Sequence, residues 1–343
     1  MKFLLTTNPG IEDIVEKEVR ENFKVEKVEK FLQGKVFVSF KKVNLKKLFE
    51  LHSVYHIIKY VSQFEISSTT QKGLEEIYKM LKRIEIEEMK KVKTFRITSQ
   101  RIGEHSFTSI LVQKFAGQAL VDKYDKKVDL KNFDLNVIVD VIGKKVFVGL
   151  QLTKESLHKR FERKFDHPAA IKAPLAYAML RLANLKKKDV LLDPFCGGGT
   201  IPIEAALVWD GDIKILASDW NKKFLEGAKL NARIAGVERF IEFRVGDARE
   251  LEKVYGKNSI DKIVTNPPYG IRIGDKRKVK NLYRSFLNSA WNVLNEKGKI
   301  VFITLRAGSF RILVQRSRKF LIEHERIVEN GGLYPHIFVL KKI

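Results

Sequence analysis

Leu191-Leu192-Asp193-Pro194-Phe195-Cys196-Gly197-Gly198-Gly199-Thr200-Ile201-Pro202 carries an apolar run into an acid, three successive glycines, and an apolar segment with an early proline. Unbroken apolar residues at Val190 to Leu192 suit a strand covered on both faces. Glycines let a ligand approach the backbone closely, and Pro202 is tolerated in a first helical turn, where N–H groups lack partners anyway. Those free N–H groups favour an anion. A dinucleotide site would place a third glycine where Pro202 stands, which argues against NAD.

Outward from this stretch, strands are expected at Val190 to Asp193, Ile213 to Ser218, Phe240 to Val245, Asp261 to Thr265 and Lys299 to Leu305, with helices between them. That alternation demands a mostly parallel α/β sheet. Glu323 to Val328 and His336 to Leu340, joined through Asn330-Gly331-Gly332, read as an antiparallel closing pair. Ligands of such sheets sit at the carboxyl ends of the strands, and there Asp193, Asp219-Trp220, Asp247-Ala248 and Asn266 fall in register. Asp219 can accept ribose hydroxyls and Asp247 an adenine amino group. The fourth strand runs into Thr265-Asn266-Pro267-Pro268-Tyr269-Gly270, where two prolines stiffen the chain and hold Asn266 and Pro267 extended. The Asn266 amide oxygen and the Pro267 carbonyl can converge on one point, with the Tyr269 ring as a stacking face. This suits a flat base with an exocyclic amine: N6 of adenine, N4 of cytosine or N2 of guanine.

The net charge is +24 over 343 residues. Residues 1–166 hold 33 Lys+Arg and 23 Asp+Glu, and the remainder 32 and 18, so both halves are basic. A polyanion lying across the whole molecule fits that spread. A single cysteine, Cys196, excludes a disulfide framework and a cysteine zinc site. His52 and His56 stand four apart without a third ligand, and no metal is expected. No window approaches a membrane span, so a cytoplasmic protein is expected.

The first segment reads as strand, turn at Asn8-Pro9-Gly10, helix from Ile11, strands at Val25 to Val28 and Gly34 to Phe40, and a helix from Leu45 to Ser53, together a ferredoxin-like α+β unit. The next holds helices at Leu74 to Arg83 and Ser109 to Tyr124, a strand at Thr94 to Arg101, and two strands around a Gly143-Lys144-Lys145 hairpin turn.

Asp193-Pro194-Phe195-Cys196-Gly197-Gly198-Gly199-Thr200 together with Asn266-Pro267-Pro268-Tyr269 resembles the class I S-adenosylmethionine-dependent methyltransferases that act on exocyclic amines. The resemblance implies a Rossmann-like, seven-stranded sheet in the order 3-2-1-4-5-7-6. It implies S-adenosyl-L-methionine as cofactor, its α-amino group meeting Asp193, with Phe195, Cys196, Gly197, Gly199, Thr200, Asp219, Trp220, Asp247, Ala248 and Asn266 around it. Asn266, Pro267 and Tyr269 become the catalytic residues. Phe95-Arg96-Ile97, the helix with Lys114 and Gly117, and Val146-Phe147-Val148-Gly149-Leu150 resemble a THUMP domain. That implies an RNA-backbone role for Arg96, Arg101, Lys114, Lys144 and Lys145, and Arg272 and Arg277 add cations near the catalytic loop. Leu157-His158-Lys159-Arg160 is similar to the stretch before the catalytic domain of THUMP methyltransferases, with Phe161 and Glu162 where Gly and Tyr are usual. The expected domains are a ferredoxin-like unit at 1–65, a THUMP domain at 66–153, a basic linker at 154–175 and a methyltransferase domain at 176–343. The whole resembles archaeal and bacterial THUMP enzymes that make N2-methylguanosine in the tRNA acceptor stem, which implies tRNA as partner, no membrane, and a monomer. Ribosomal RNA guanine-N2 enzymes and adenine-N6 methyltransferases share the catalytic motifs. An RNA-binding protein with a vestigial pocket would be expected to have lost an acid or Asn266.

Overall fold

The computed structural model describes residues 1–31, 33–270 and 276–343. Its strands are β1 (Lys2–Thr6), β2 (Lys27–Phe31), β3 (Lys35–Ser39), β4 (His56–Glu65), β5 (Thr94–Thr98), β6 (Arg101–Ile102), β7 (Lys127–Val128), β8 (Leu135–Ile142), β9 (Lys145–Gln151), β10 (Val190–Asp193), β11 (Lys214–Asp219), β12 (Ile241–Val245), β13 (Ile260–Thr265), β14 (Leu294–Thr304), β15 (Phe320–Ile327) and β16 (His336–Lys342). The helices are α1 (Glu12–Asn22), α2 (Leu45–Leu48), α3 (Gln71–Arg83), α4 (Ser109–Tyr124), α5 (Ala173–Leu182), α6 (Thr200–Trp209), α7 (Lys222–Ile234), α8 (Leu251–Tyr255), α9 (Lys276–Val293) and α10 (Ala307–Ser317).

The amino-terminal half forms one sheet in the order β2-β3-β1-β4-β9-β8-β5-β7, with β6 beside β8. The joint is β4, which pairs with β1 through His56–Lys59 and with β9 through Ile58–Glu65. No strand is expected there from the sequence, because a register shift between Tyr60 and Ser62 puts Ile57 and Phe64 in different phases and hides the alternation. The helix expected from Leu45 to Ser53 stops at Leu48. The buried carboxylate of Glu18 takes the N–H groups of His52 (2.7 Å) and Ser53 (2.9 Å), which are then lost to any helix. Helices α1, α3 and α4 cover one face. On the opposite face Leu4, Phe37, Ile58, Ile138 and Phe147 pack together, and Lys35 of β3 pairs with Asp140 of β8 across three intervening strands. The sheet is therefore strongly curled.

The carboxyl-terminal sheet has the order β12-β11-β10-β13-β14-β16-β15, the expected 3-2-1-4-5-7-6, with β16 antiparallel to both neighbours. Apolar clusters fill both of its faces, and Ile11 and Ile14 from the amino-terminal half are built into one of them. Arg326 of β15 grips Asp13 of α1 at 2.6 Å, and the Glu329 N–H donates to the Pro9 carbonyl at 2.9 Å. The halves share a core and are held at a fixed angle. No helix among the described residues is long and apolar enough to cross a membrane.

Candidate active site

The turn after β10 needs two positive φ angles, +50° at Gly197 and +82° at Gly199, which glycine alone adopts without strain. It brings the Gly197 N–H to Asp219 Oδ2 (3.0 Å), while Asn221 N–H donates to Asp219 Oδ1 (2.9 Å). Asp193 is buried, and its Oδ1 accepts the Thr265 hydroxyl (2.7 Å) and the Phe195 N–H (3.2 Å). Burial pushes its carboxyl up to about 7, against those two hydrogen bonds and with a smaller push from Asp219. Asp219 is raised as well, again by burial first. Among the described residues no cation pairs with Asp193, so a buried acid stands where an ammonium group would relieve its cost. The Cys196 thiol is pushed well up by burial and stays protonated.

A cleft is lined by Asp193, Phe195, Cys196, Gly197, Thr200 and Asn266, so the structure brings six of the expected site residues together. Gly199 lies behind it against Ala228. Trp220 stands 72% exposed next to Asp219, and Ala248 is buried next to Asp247 at the end of β12. Asp247 takes the Arg249 backbone N–H (2.9 Å) and its guanidinium (2.5 Å), so a base amine there would share or displace the arginine.

The segment read from sequence as a basic linker forms a wall of the same cleft. His167 lies against Gly197 and Gly198, its ring edge-on to Phe224 at 4.6 Å, and Phe165 packs on Gly227 so closely that any Cβ there would sit 2.3 Å from the ring. Arg163 donates to the Thr200 hydroxyl (3.0 Å). Buried Asn231 ties the wall to the glycine loop, donating to the carbonyls of Phe165 (2.9 Å) and Gly198 (3.0 Å). A lone Asn on the otherwise small, apolar buried face of α7 was the available signal for this contact.

The loop after β13 is fixed from three sides. The Tyr269 hydroxyl donates to Asn266 Oδ1 (2.7 Å), and Asn266 Nδ2 donates to the carbonyl of Ala169 (2.9 Å), which sets the flip of the amide. Tyr283 donates to the Pro268 carbonyl (3.0 Å), and Arg306 to those of Tyr269 (2.7 Å) and Gly270 (3.3 Å). The Pro267 carbonyl accepts no hydrogen bond among the described residues. Burial holds the Tyr269 hydroxyl above its usual range, so it remains a donor. Tyr283 and Arg306, on α9 and just before α10, carry no local motif that would have marked them.

The expected RNA contacts are dispersed. Arg101 joins the hairpin turn with Lys144 and Lys145 through His105, which bonds the Gly143 carbonyl (2.7 Å) and lies 3.2 Å from the Arg101 guanidinium. Lys114 is exposed on α4, whose buried side packs on the face that Phe95 and Ile97 share. Arg96 points to the opposite face, its guanidinium 4.0 Å from the centre of the Phe133 ring. Arg277 is exposed in the first turn of α9, and Arg272 lies outside the described residues. His52 does not meet His56: the first bonds Glu204 (2.5 Å) and the second the Thr153 hydroxyl (2.9 Å). Among the described residues no three acidic, histidine or cysteine side chains cluster to hold a metal.

A methyltransferase-domain family model described as RMKL-like matches residues 160–336, and a THUMP-domain model matches residues 71–151. The chain belongs to the RMKL-like methyltransferases. The methyltransferase is 34% identical to tRNA (guanine(6)-N2)-methyltransferase of Archaeoglobus fulgidus over 99% of its own length and 92% of that protein. It is also 34% identical to the enzyme of that name from Thermus thermophilus, over 98% of each chain. The crystal structure of TrmN from Thermus thermophilus superposes with a TM-score of 0.88 at 32% identity, covering 100% of this chain and 99% of that one. The methyl donor of this class is S-adenosyl-L-methionine, and the buried acid, the glycine turn and Asp219 fit its ammonium, carboxylate and ribose groups in kind.

Proposed function

We propose that this methyltransferase transfers a methyl group to the exocyclic N2 of a guanosine in tRNA, at position 6 within the acceptor stem. The observation that carries this is the Asn266–Tyr269 loop, pinned beside the cleft, in a chain similar over nearly its whole length to enzymes named for guanine(6).

Asp193 and Asp219 would hold the donor through its ammonium and ribose groups, with Thr265 and the Gly197 N–H orienting the two carboxylates. S-adenosylmethionine supplies a sulfonium methyl with a neutral leaving group. The difficulty lies in the nucleophile, an amine whose lone pair is delocalised into the base. Asn266 Oδ1 has one lone pair engaged by Tyr269 and one open, and the Pro267 carbonyl is open too. Two acceptors on the amine protons favour a pyramidal nitrogen with its lone pair aimed at the cleft. Their preorganisation comes from Ala169, Tyr269, Tyr283 and Arg306. No general base is needed before transfer, because the proton becomes acidic once the nitrogen is methylated. The target base must leave its stack to reach the loop. The domain division at 1–65, 66–153, 154–175 and 176–343 is proposed with this role: the curled sheet grips RNA and the linker closes the cofactor cleft.

The test is incubation with methyl-labelled cofactor and a tRNA transcript, nucleoside analysis of the product, and a transcript with adenosine at position 6. N2-methylguanosine that disappears with the substituted transcript is expected. N6-methyladenosine as product would overturn the assignment.

A further inference from the structure

Most cations near the meeting of the halves are answered by carboxylates: Arg326 by Asp13, Arg181 by Glu21, Arg160 by Glu204. One line is not. It begins at Arg96, whose buried Nε has no partner and whose guanidinium is backed by Phe133. Next comes His56, close enough that, after burial, the Arg96 charge further disfavours its protonation. Tyr55 follows, with His158 edge-on at 5.5 Å and the Lys172 ammonium over its ring at 5.4 Å. Among the described residues neither Arg96 nor Lys172 pairs with a carboxylate. Thr153 and Ser156 hold the two imidazoles through Nδ1 (2.9 and 2.7 Å), leaving both Nε2 atoms unpartnered among the described residues.

Burial and then the charges of Lys172, Lys159, Arg163 and His56 push His158 down to about 4. Arg96 and Lys172, each backed by an aromatic ring and neither neutralised by a carboxylate among the described residues, are placed to meet an anion such as a phosphate. The line is directional as well. Lys172 follows Ala169 by three residues, at most about 11 Å of chain, and the Ala169 carbonyl holds Asn266.

We infer that this seam binds the phosphodiester backbone of the RNA substrate between the curled sheet and the catalytic loop, with Arg96, His56, His158 and Lys172 as its contacts and the Tyr55 and Phe133 rings as their supports. The inference rests on the proposed tRNA substrate and assigns it a path. A backbone held here enters the cleft alongside the same segment that orients Asn266.

The test uses the full chain. In unmodified protein, amine acetylation read by mass spectrometry should find Lys172 protected by tRNA, while Lys187, an exposed lysine paired with Asp212 beyond the opposite strand ends, stays reactive. Lys172→Gln and Arg96→Gln should each weaken tRNA binding several-fold near 0.1 M salt and reduce the slope of log Kd against log salt by roughly 0.7–0.9. Cofactor affinity should not change. Protection of Lys172 by inorganic phosphate at matched ionic strength, as complete as that by tRNA, would mean a small-anion site and overturn the backbone path. Lys172 as reactive as before in saturating tRNA that is bound and methylated would sink the seam and leave the function standing. Failure of the unaltered protein to bind or methylate any tRNA would remove both.

Discussion

Asp193 makes the pH dependence of cofactor binding diagnostic. Its carboxyl is neutral below about 7 because burial disfavours the charge, whereas an ammonium group requires the carboxylate. Binding below that point must expel a proton, so affinity should rise about tenfold per pH unit from about pH 5 to 7, or roughly 2.7 kcal/mol across the interval. It should flatten there and fall above about 8, as the ligand's own α-amino group loses its charge. Asp219 is raised in the same sense, mainly by burial, and His167 is lowered, again mainly by burial. Calorimetric titration with S-adenosylhomocysteine, in two buffers of different ionisation enthalpy, reads the affinity and the proton count together. Asp193→Asn should weaken binding near pH 7.5 and remove most of the slope. The sign for the unliganded fold is opposite. A folded carboxyl raised from 3.8 to about 7 stabilises nothing above that range, and its contribution is lost progressively as pH rises between the two values. Unliganded Asp193→Asn should therefore melt higher than the unsubstituted protein near pH 8. Affinity independent of pH between about 5.5 and 7.5 would refute the ammonium role.

Tyr269→Phe removes one hydrogen bond to Asn266 Oδ1, about 1 kcal/mol, and should lower kcat several-fold with cofactor affinity unchanged; unchanged kcat would make Tyr269 a stacking residue only, because Phe keeps the ring. Asp219→Ala should weaken cofactor binding by about 1 to 3 kcal/mol, while Asn266→Ala should leave it near normal and cost at least about tenfold in turnover; equal affinity losses in both would refute the division. A fragment beginning at residue 160 should bind cofactor better than one beginning at Asp166, because the shorter piece loses Arg163–Thr200 and the Asn231 grip on Phe165. Titration of both fragments decides it, and equal affinity would show that the wall is dispensable.

The parallel sheet was legible because strands buried on both faces need unbroken apolar runs and helices need another period, and each expected acid fell at a strand end. Asp193, Asp219 and Asn266 could be named for the same reason: a ligand at a switch point meets the first residues past each strand. Sequence could not show what those side chains already hold. The Asp247 pairing with Arg249, the Tyr269 hydroxyl on Asn266 and the Arg306 clamp join residues 2, 3 and 36 or 37 apart through rotamers that packing selects. Strand β4 stayed hidden because a bulge breaks its alternation, and with it the continuity of the first sheet. Segment 154–175 reads as a basic linker because composition reports charge, not contact, and part of it lies against the glycine loop. The docking of Ile11 and Ile14 into the catalytic core, with Arg326 on Asp13, helps to fix the angle at which that segment crosses the glycine loop. Local chemistry settled which residues could act; long-range packing decided which of them face one another.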